Sequence, residues 1–534
     1  MYQSGLAVYI ALDGLNADMP TSTAIEKHRK QTKALARSLK PTEVYQWLLK
    51  YGYFPESYVL PPCFKVVATP KSGKTYFKVV RNRKGTSFAP TRTECVRVHF
   101  PKSEFTDRTF GIMHPHVHND IAFHISRNWK KIVDALIPID SAVTAYSFPI
   151  PVTKRAPGRV GNLRSGRMIY EFIDMTDDDL VSVAYRYTHL VKADIKNFYP
   201  SIYTHSLAWA LHGKKHVRQS KNLHNFDLVG NRLDKLFQYA NDACTNGLPI
   251  GPVVSDVAAE IIAASVDREL TRHLRKLNID FAAVRFKDDY RILVKSENDG
   301  RSVIKALQAS LKEFNLELSD EKTKVEPLPT GLFREWVSRY HAIHPKKRRA
   351  FSWKQFRELY LGVVEIDRAC PGTGVIDRFL ADIVSKDGHL KLHLEERNLE
   401  RSISMLLMLG SLRIKAFPKI MAILESIIRS PFGSAHETAI LLYLEEFLRR
   451  ISAEEERNKY LISWLLYFLV SNGFYGRLAT KPRFKDPVTR SIASNRAIVF
   501  SNAADFKLFQ GCKAAGRGVT MLQHLDVFNP PESV

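Results

Sequence analysis

Two short segments constrain this chain more than anything else in it. Val191-Lys192-Ala193-Asp194-Ile195-Lys196-Asn197-Phe198-Tyr199-Pro200-Ser201 and Arg285-Phe286-Lys287-Asp288-Asp289-Tyr290 are each an apolar, strand-like run that delivers acidic residues to its end. The second belongs to an expected hairpin, Val284 to Phe286 turning into Tyr290 to Val294, whose tight turn lifts the Asp pair to the surface of a sheet. An isolated Asp-Asp doublet is usually a solvated loop, so the apolar strands on either side are what matter. Three carboxylates arriving this way are hard ligands that can hold two divalent cations within about 4 Å of each other, Mg²⁺ first and Mn²⁺ as a substitute. Asp194 and Asp288 are the expected bridging pair; Asp289 ligates or adds negative charge.

Such a site serves in-line phosphoryl transfer, one cation activating a 3′-hydroxyl and the other neutralising a leaving pyrophosphate. The segments around it fit that chemistry. Asn246-Gly247-Leu248-Pro249-Ile250-Gly251-Pro252 leads into an apolar-periodic helix from Val257 to Leu270, and its glycines predict a turn with bare backbone amides for a nucleotide or primer end. An amphipathic helix, Val303 to Phe314, is followed by Leu316-Glu317-Leu318-Ser319-Asp320-Glu321-Lys322-Thr323, where Lys322 is placed to touch a triphosphate.

The order of these pieces resembles motifs A, B, C and D of reverse transcriptases, and Lys154 to Arg159 with Arg164-Ser165-Gly166-Arg167 resembles the basic fingers hairpin that grips the incoming triphosphate. The resemblance spans residues 128 to 326 and implies an α+β right-hand polymerase of fingers and palm. It assigns the metal to Asp194, Asp288, Asp289 and the Ile195 backbone. It assigns the nucleotide to Arg155, Arg164, Arg167, Lys196, Phe198, Tyr199, Gly251 and Lys322. Asp-Ile-Lys-Asn-Phe-Tyr-Pro-Ser-Ile resembles the bacterial branch, and Tyr51 to Glu56, Leu60 to Phe64 and Tyr460 to Leu469 resemble its abortive-infection and defence-associated members. Those antiphage proteins couple the polymerase to an all-helical C-terminal part, form ring-like homo-oligomers, and make untemplated DNA primed by a hydroxyl of the protein. The implied partners are therefore dNTPs and a single-stranded DNA product covalently attached to the chain, with RNA as the alternative.

Departures from the family pattern bear on mechanism. Templated enzymes carry Leu-Pro-Gln-Gly-Ser-Pro where this chain has Ile250 for the glutamine and Pro252 for the serine, which puts template use in doubt. Lys287 stands where a small or apolar residue is common and would compensate the carboxylates or meet a primer phosphate. Tyr199 keeps the aromatic that excludes a 2′-hydroxyl, so deoxynucleotides are the expected substrate.

Composition agrees. The 534 residues suffice for two or three domains, and a formal charge of +24 favours a polyanionic partner. Five scattered cysteines show neither zinc spacing nor a disulfide framework, which predicts a reducing compartment. The first residues have no signal-peptide pattern and the apolar stretch at Ile462 to Val470 is too short to span a bilayer, so a cytoplasmic, membrane-free protein is expected.

The organisation reads as an N-terminal extension and start of fingers over 1–126, fingers and palm over 127–335, and a helical-repeat-like, all-α domain over 336–534. Within the first, 66–126 reads as short strands and turns. Four helices are expected at Leu399 to Leu409, Ile414 to Ile428, Glu437 to Ile451 and Glu454 to Val470. His114, His116 and His118 alternate as on a strand and, with His124, read as packing groups rather than a metal site. Lys346, Lys347 and Arg348 read as a phosphate-binding strip, and Tyr360, Tyr443, Tyr460, Tyr467 and Tyr475 as packing aromatics with surface hydroxyls. Two other functions remain open beside an untemplated polymerase: an RNA-templated enzyme using a dedicated non-coding RNA, and a non-catalytic nucleic-acid scaffold.

Overall fold

The computed structural model describes residues 23–525 apart from 71–72, 84, 103–105, 162–170, 345–349, 386–389 and 501–502. Its organising element is a five-stranded sheet in the order β10 (Lys324–Pro327), β7 (His189–Asp194), β9 (Asp289–Val294), β8 (Phe281–Phe286), β6 (Val143–Ala145). All neighbours are antiparallel except β6, which runs parallel to β8.

Alternation along β7 and β9 gives this sheet two unlike faces. Val191, Ala193, Ile195, Tyr290, Ile292 and Val294 enter the large core built with α5 (Val253–Lys276) and α6 (Glu297–Lys312). α5 is apolar nearly all round because it is enclosed, on other sides, by α3 (Pro115–Arg127) and α4 (Trp129–Leu136). On the opposite face Leu190, Leu293 and Val284 close against Tyr146, Leu180 and Leu332, while the strand ends beyond them stay open.

The described chain begins with two helices, α1 (Ala24–Ser38) and α2 (Pro41–Lys50). The segment read as strand and turn departs from expectation at its end. Pro115 takes the first position of α3 and His114 caps it, so His116, His118 and His124 lie on a helix. His118 and His124 are buried there, and among the described residues no group of three His, Cys, Asp or Glu is placed to hold a metal.

The C-terminal part is helix-rich. α7 (Glu396–Leu412), α8 (Phe417–Arg429), α9 (Glu437–Ser452) and α10 (Glu455–Ser471) match the four expected helices to within a few residues. α10 is buried on every side from Tyr460 to Val470, which explains its unbroken apolar run; no described helix is long and apolar enough to cross a membrane. The expectation of an all-α C-terminal part is corrected by β11 (Lys507–Phe509), which pairs antiparallel with β1 (Phe64–Ala68). The surface hydroxyl expected of five tyrosines is also corrected for Tyr360, Tyr460 and Tyr467. Tyr360 donates to the Met405 carbonyl and Tyr460 to that of Tyr58, while Tyr467 is wholly buried.

Between the open face of the sheet and the helical part runs a cleft of about 1520 Å³. Its lining has nine lysines and arginines against four carboxylates.

Candidate active site

Asp194 is the last residue of β7 and stands in register with Asp289, the first of β9. Phe286 faces Asp289 from β8, so only Lys287 and Asp288 connect the strands. Lys287 takes φ +54°, a left-handed conformation that a lysine keeps only when its surroundings hold it. Its amide donates to Ser147 Oγ at 2.9 Å and its carbonyl accepts from Arg285 Nη1 at 2.8 Å. The Ile195 amide donates to the Asp288 carbonyl at 3.2 Å, tying the turn to β7.

The three carboxylates crowd one another. Partial burial, then Asp194, raises the Asp288 carboxyl above its ordinary range. Asp289 is lifted to about 7 by burial and by the charges of Asp288 and Asp194. The charges of Lys287 and Lys322 pull Asp288 the other way. Lys322 does not point away toward a triphosphate. Its Nζ donates to Asp194 Oδ2 at 2.9 Å, and the three carboxylates raise its own pKa against the effect of burial. The segment that delivers it is pinned to β7 by hydrogen bonds from Ser319 N to the Asp194 carbonyl, 2.8 Å, and from Lys196 N to that of Glu317, 2.8 Å.

No three such groups converge closely enough, as they stand, to hold a metal among the described residues. The donor set nevertheless fits Mg²⁺ or Mn²⁺, because hard carboxylate oxygens sit together with a lysine ammonium on one of them, and burial with mutual repulsion raises the proton affinity of Asp288 and Asp289.

On the nucleotide side, the Tyr199 hydroxyl donates to Asp256 Oδ1 at 2.6 Å, which fixes the ring beside the entry to α5. The loop amides expected to be bare are corrected in part. Those of Gly247 and Leu248 donate to the carbonyls of Ile202 and Tyr199 at 2.8 and 2.9 Å, fastening the loop to the segment after β7. Gly251 has φ +126°, and a Cβ there would lie 2.9 Å from Pro55 Cγ. Phe198 is buried in the large core and is not free to touch a nucleotide, which corrects that assignment, whereas Lys196 is exposed. Ile195 likewise buries its side chain and offers only backbone. Arg155 is exposed; Arg164, Arg167, Lys346, Lys347 and Arg348 lie outside the described residues.

Arg285 escaped the sequence reading. Fully buried, it donates to the carboxylates of Glu260 and Asp267 on α5 over 2.7 to 3.2 Å. Tyr290 donates to Asp267 at 2.8 Å and Ser147 to Glu260 at 3.0 Å. This satisfied network links the helix that follows the glycine loop to the turn that carries Asp288. Its signal in the sequence is an arginine inside an apolar strand and two acids seven residues apart on an apolar helix.

An antiparallel sheet that presents carboxylates from adjacent strand ends, backed by two helices, is the palm of a nucleic-acid polymerase. The family described as Reverse transcriptase (RNA-dependent DNA polymerase) matches residues 149–359, so this part of the chain is a reverse transcriptase domain. None of the curated proteins matches it. A structure of telomerase from Candida albicans in complex with a TWJ fragment of telomeric RNA overlaps 51% of this chain and 52% of that one, at 14% identity and TM-score 0.23. The chain thus spans about half the length of that protein, an overlap too loose to transfer anything from it.

Proposed function

We propose that the protein is a DNA polymerase of reverse transcriptase type that adds deoxynucleotides without a template, primes from a hydroxyl of its own chain, and acts in bacterial antiphage defence as a cytoplasmic homo-oligomer. The observation that carries the catalytic part is the register pairing of Asp194 with Asp289 beside Asp288, with Lys322 held on Asp194. Two Mg²⁺ ions held by Asp194, Asp288, Asp289 and the Ile195 backbone would supply activation of the attacking hydroxyl and neutralisation of the leaving pyrophosphate. Lys322 is held on Asp194 in the free enzyme and, once displaced from it, presents its ammonium to the triphosphate. Tyr199, braced by Asp256, closes the space of a 2′-hydroxyl. Arg285 and Ser147 hold the Lys287 turn so that Asp288 keeps its place through the reaction.

Untemplated synthesis is supported at Ile250. Its carbonyl accepts from the Gly111 amide at 2.9 Å, and its side chain packs against the core that includes Phe110 rather than offering the amide group that supports a template in related enzymes. Protein priming is supported by Tyr51, the exposed tyrosine of the cleft lining, whose neighbour Gly52 accepts from the Val253 amide at the start of α5 at 2.8 Å.

The test is labelled-dNTP incorporation by nuclease-treated protein with Mg²⁺ and no template, resolved on a denaturing protein gel. Label migrating with the protein is the expected result. Incorporation only after RNA is restored would replace this reading with that of an RNA-templated enzyme.

A further inference from the structure

Alternation places a second pair of residues on the same face of the sheet as Asp194 and Asp289. Lys192 and Arg291 are in register two residues inward, about 6.7 Å along the strands at the usual rise. The next pair on this face, Leu190 and Leu293, is already sealed in an apolar cluster. The cations therefore sit between the carboxylates and a closed core, and both line the cleft.

Arg291 has no carboxylate or hydrogen-bond partner among the described residues; its guanidinium lies over the Phe172 ring, 5.8 Å from the centroid. Burial lowers its pKa against the charges of Asp289, Asp177 and Glu326, so the guanidinium stands among carboxylates without a direct ion pair to any of them. Lys192 Nζ meets Glu326 Oε2 at 2.8 Å. Gly331, at φ +76°, lets the backbone pass directly over the Lys192–Glu326 pair, since a Cβ there would fall 1.9 Å from Glu326 Oε2 and 2.2 Å from Lys192 Nζ. Beside Gly331 an exposed aromatic, Phe333, also lines the cleft. Cations interleaved with an accessible aromatic are what a single nucleic-acid strand uses, phosphate on charge and base on ring.

We propose that Arg291 and Lys192 form a seat for a backbone phosphodiester of the growing DNA strand, about one phosphate step behind the catalytic carboxylates, with Phe333 offering a stacking surface to its base. The assignment of the ligand to the growing strand rests on the polymerase reading above; the seat itself is tested by binding alone.

The experiment measures anisotropy of a fluorescein-labelled oligodeoxythymidine on full-length protein between 50 and 200 mM salt, for wild type, Arg291→Gln and Arg291→Lys, with inorganic pyrophosphate as competitor. The expected result is several-fold weaker oligonucleotide binding in Arg291→Gln, a salt slope smaller by about 0.7, and recovery in Arg291→Lys. Pyrophosphate competition should not change. Wild-type binding and slope in Arg291→Gln would overturn the seat, as would equal loss in both variants, which marks a folding role. Weakened pyrophosphate competition with intact oligonucleotide binding would overturn it in favour of a triphosphate site. A smaller salt slope in protein that incorporates no nucleotide would keep the seat and remove the polymerase reading.

Discussion

Arg285 reaches from a fully buried position to the backbone carbonyl of Lys287, 2.8 Å away, and so grips the turn that presents Asp288. The same guanidinium is neutralised by Glu260 and Asp267, which belong to the helix entered from the glycine loop. The turn that carries Asp288 and the helix entered from the glycine loop are thus one mechanical unit.

Removing the grip should be costly. Arg285→Met leaves two buried carboxylates without their cation, and a loss of about 3 to 5 kcal/mol in unfolding free energy is expected in denaturant titration. Ser147→Ala is milder, about 1 to 3 kcal/mol, since it removes the acceptor of the Lys287 amide and the hydroxyl that donates to Glu260. Its larger effect should fall on kcat, with KM for dNTP little changed; a change confined to KM would contradict the positioning role.

Lys322 and a divalent cation compete for Asp194 Oδ2. In Lys322→Met the Mg²⁺ concentration for half-maximal activity should fall, because an internal counterion has gone, while the maximal rate also falls for want of the ammonium near the triphosphate. An unchanged Mg²⁺ curve would show that the ion pair at 2.9 Å plays no part in metal loading.

Burial pushes His124 down from 6.5 to about 3, and nearby Arg232 adds to the effect. The unfolded chain therefore takes up a proton near pH 6.5 that the folded chain refuses, so this contribution to stability is full above pH 6.5 and drains as pH falls toward 3. The slope is about 1.4 kcal/mol per pH unit inside the window. His124→Leu lacks the penalty, so the gap in melting temperature between wild type and variant should shift in the variant's favour from pH 7 to pH 5. A gap independent of pH would contradict the buried neutral imidazole.

If Tyr51 is the priming hydroxyl, Tyr51→Phe should lose label on the protein while still extending an added DNA primer. Persistence of labelled protein in that variant would move priming to another hydroxyl.

Much of the site was legible because its signals are local. A run of apolar residues ending in Asp194, and a second turning at Lys287-Asp288, determine strand, face and exit point together. The helices from Glu396 to Ser471 were legible for the same reason, as three- and four-residue spacing needs no distant partner. His114, His116 and His118 misled because every-other-residue spacing imitates a strand, although Val117, Ile121 and Ile125 carry the helical repeat one face away. Arg285 was missed because its partners lie 18 and 25 residues back on another element, and burial is not written in the strand itself. The pairing of β1 with β11 joins residues near opposite ends of the chain, which no local pattern can announce. Lys322 was found, but its partner was not, since only the folded register brings it to Asp194.

The most direct measurement is template-free incorporation of labelled dNTP by wild type beside Asp288→Asn, with Mg²⁺ present and the fold of both checked by thermal melting. Robust incorporation by wild type that drops to background in an equally folded variant is the predicted result. Equal incorporation by the two proteins would contradict the assignment of catalysis to the Asp194, Asp288 and Asp289 carboxylates.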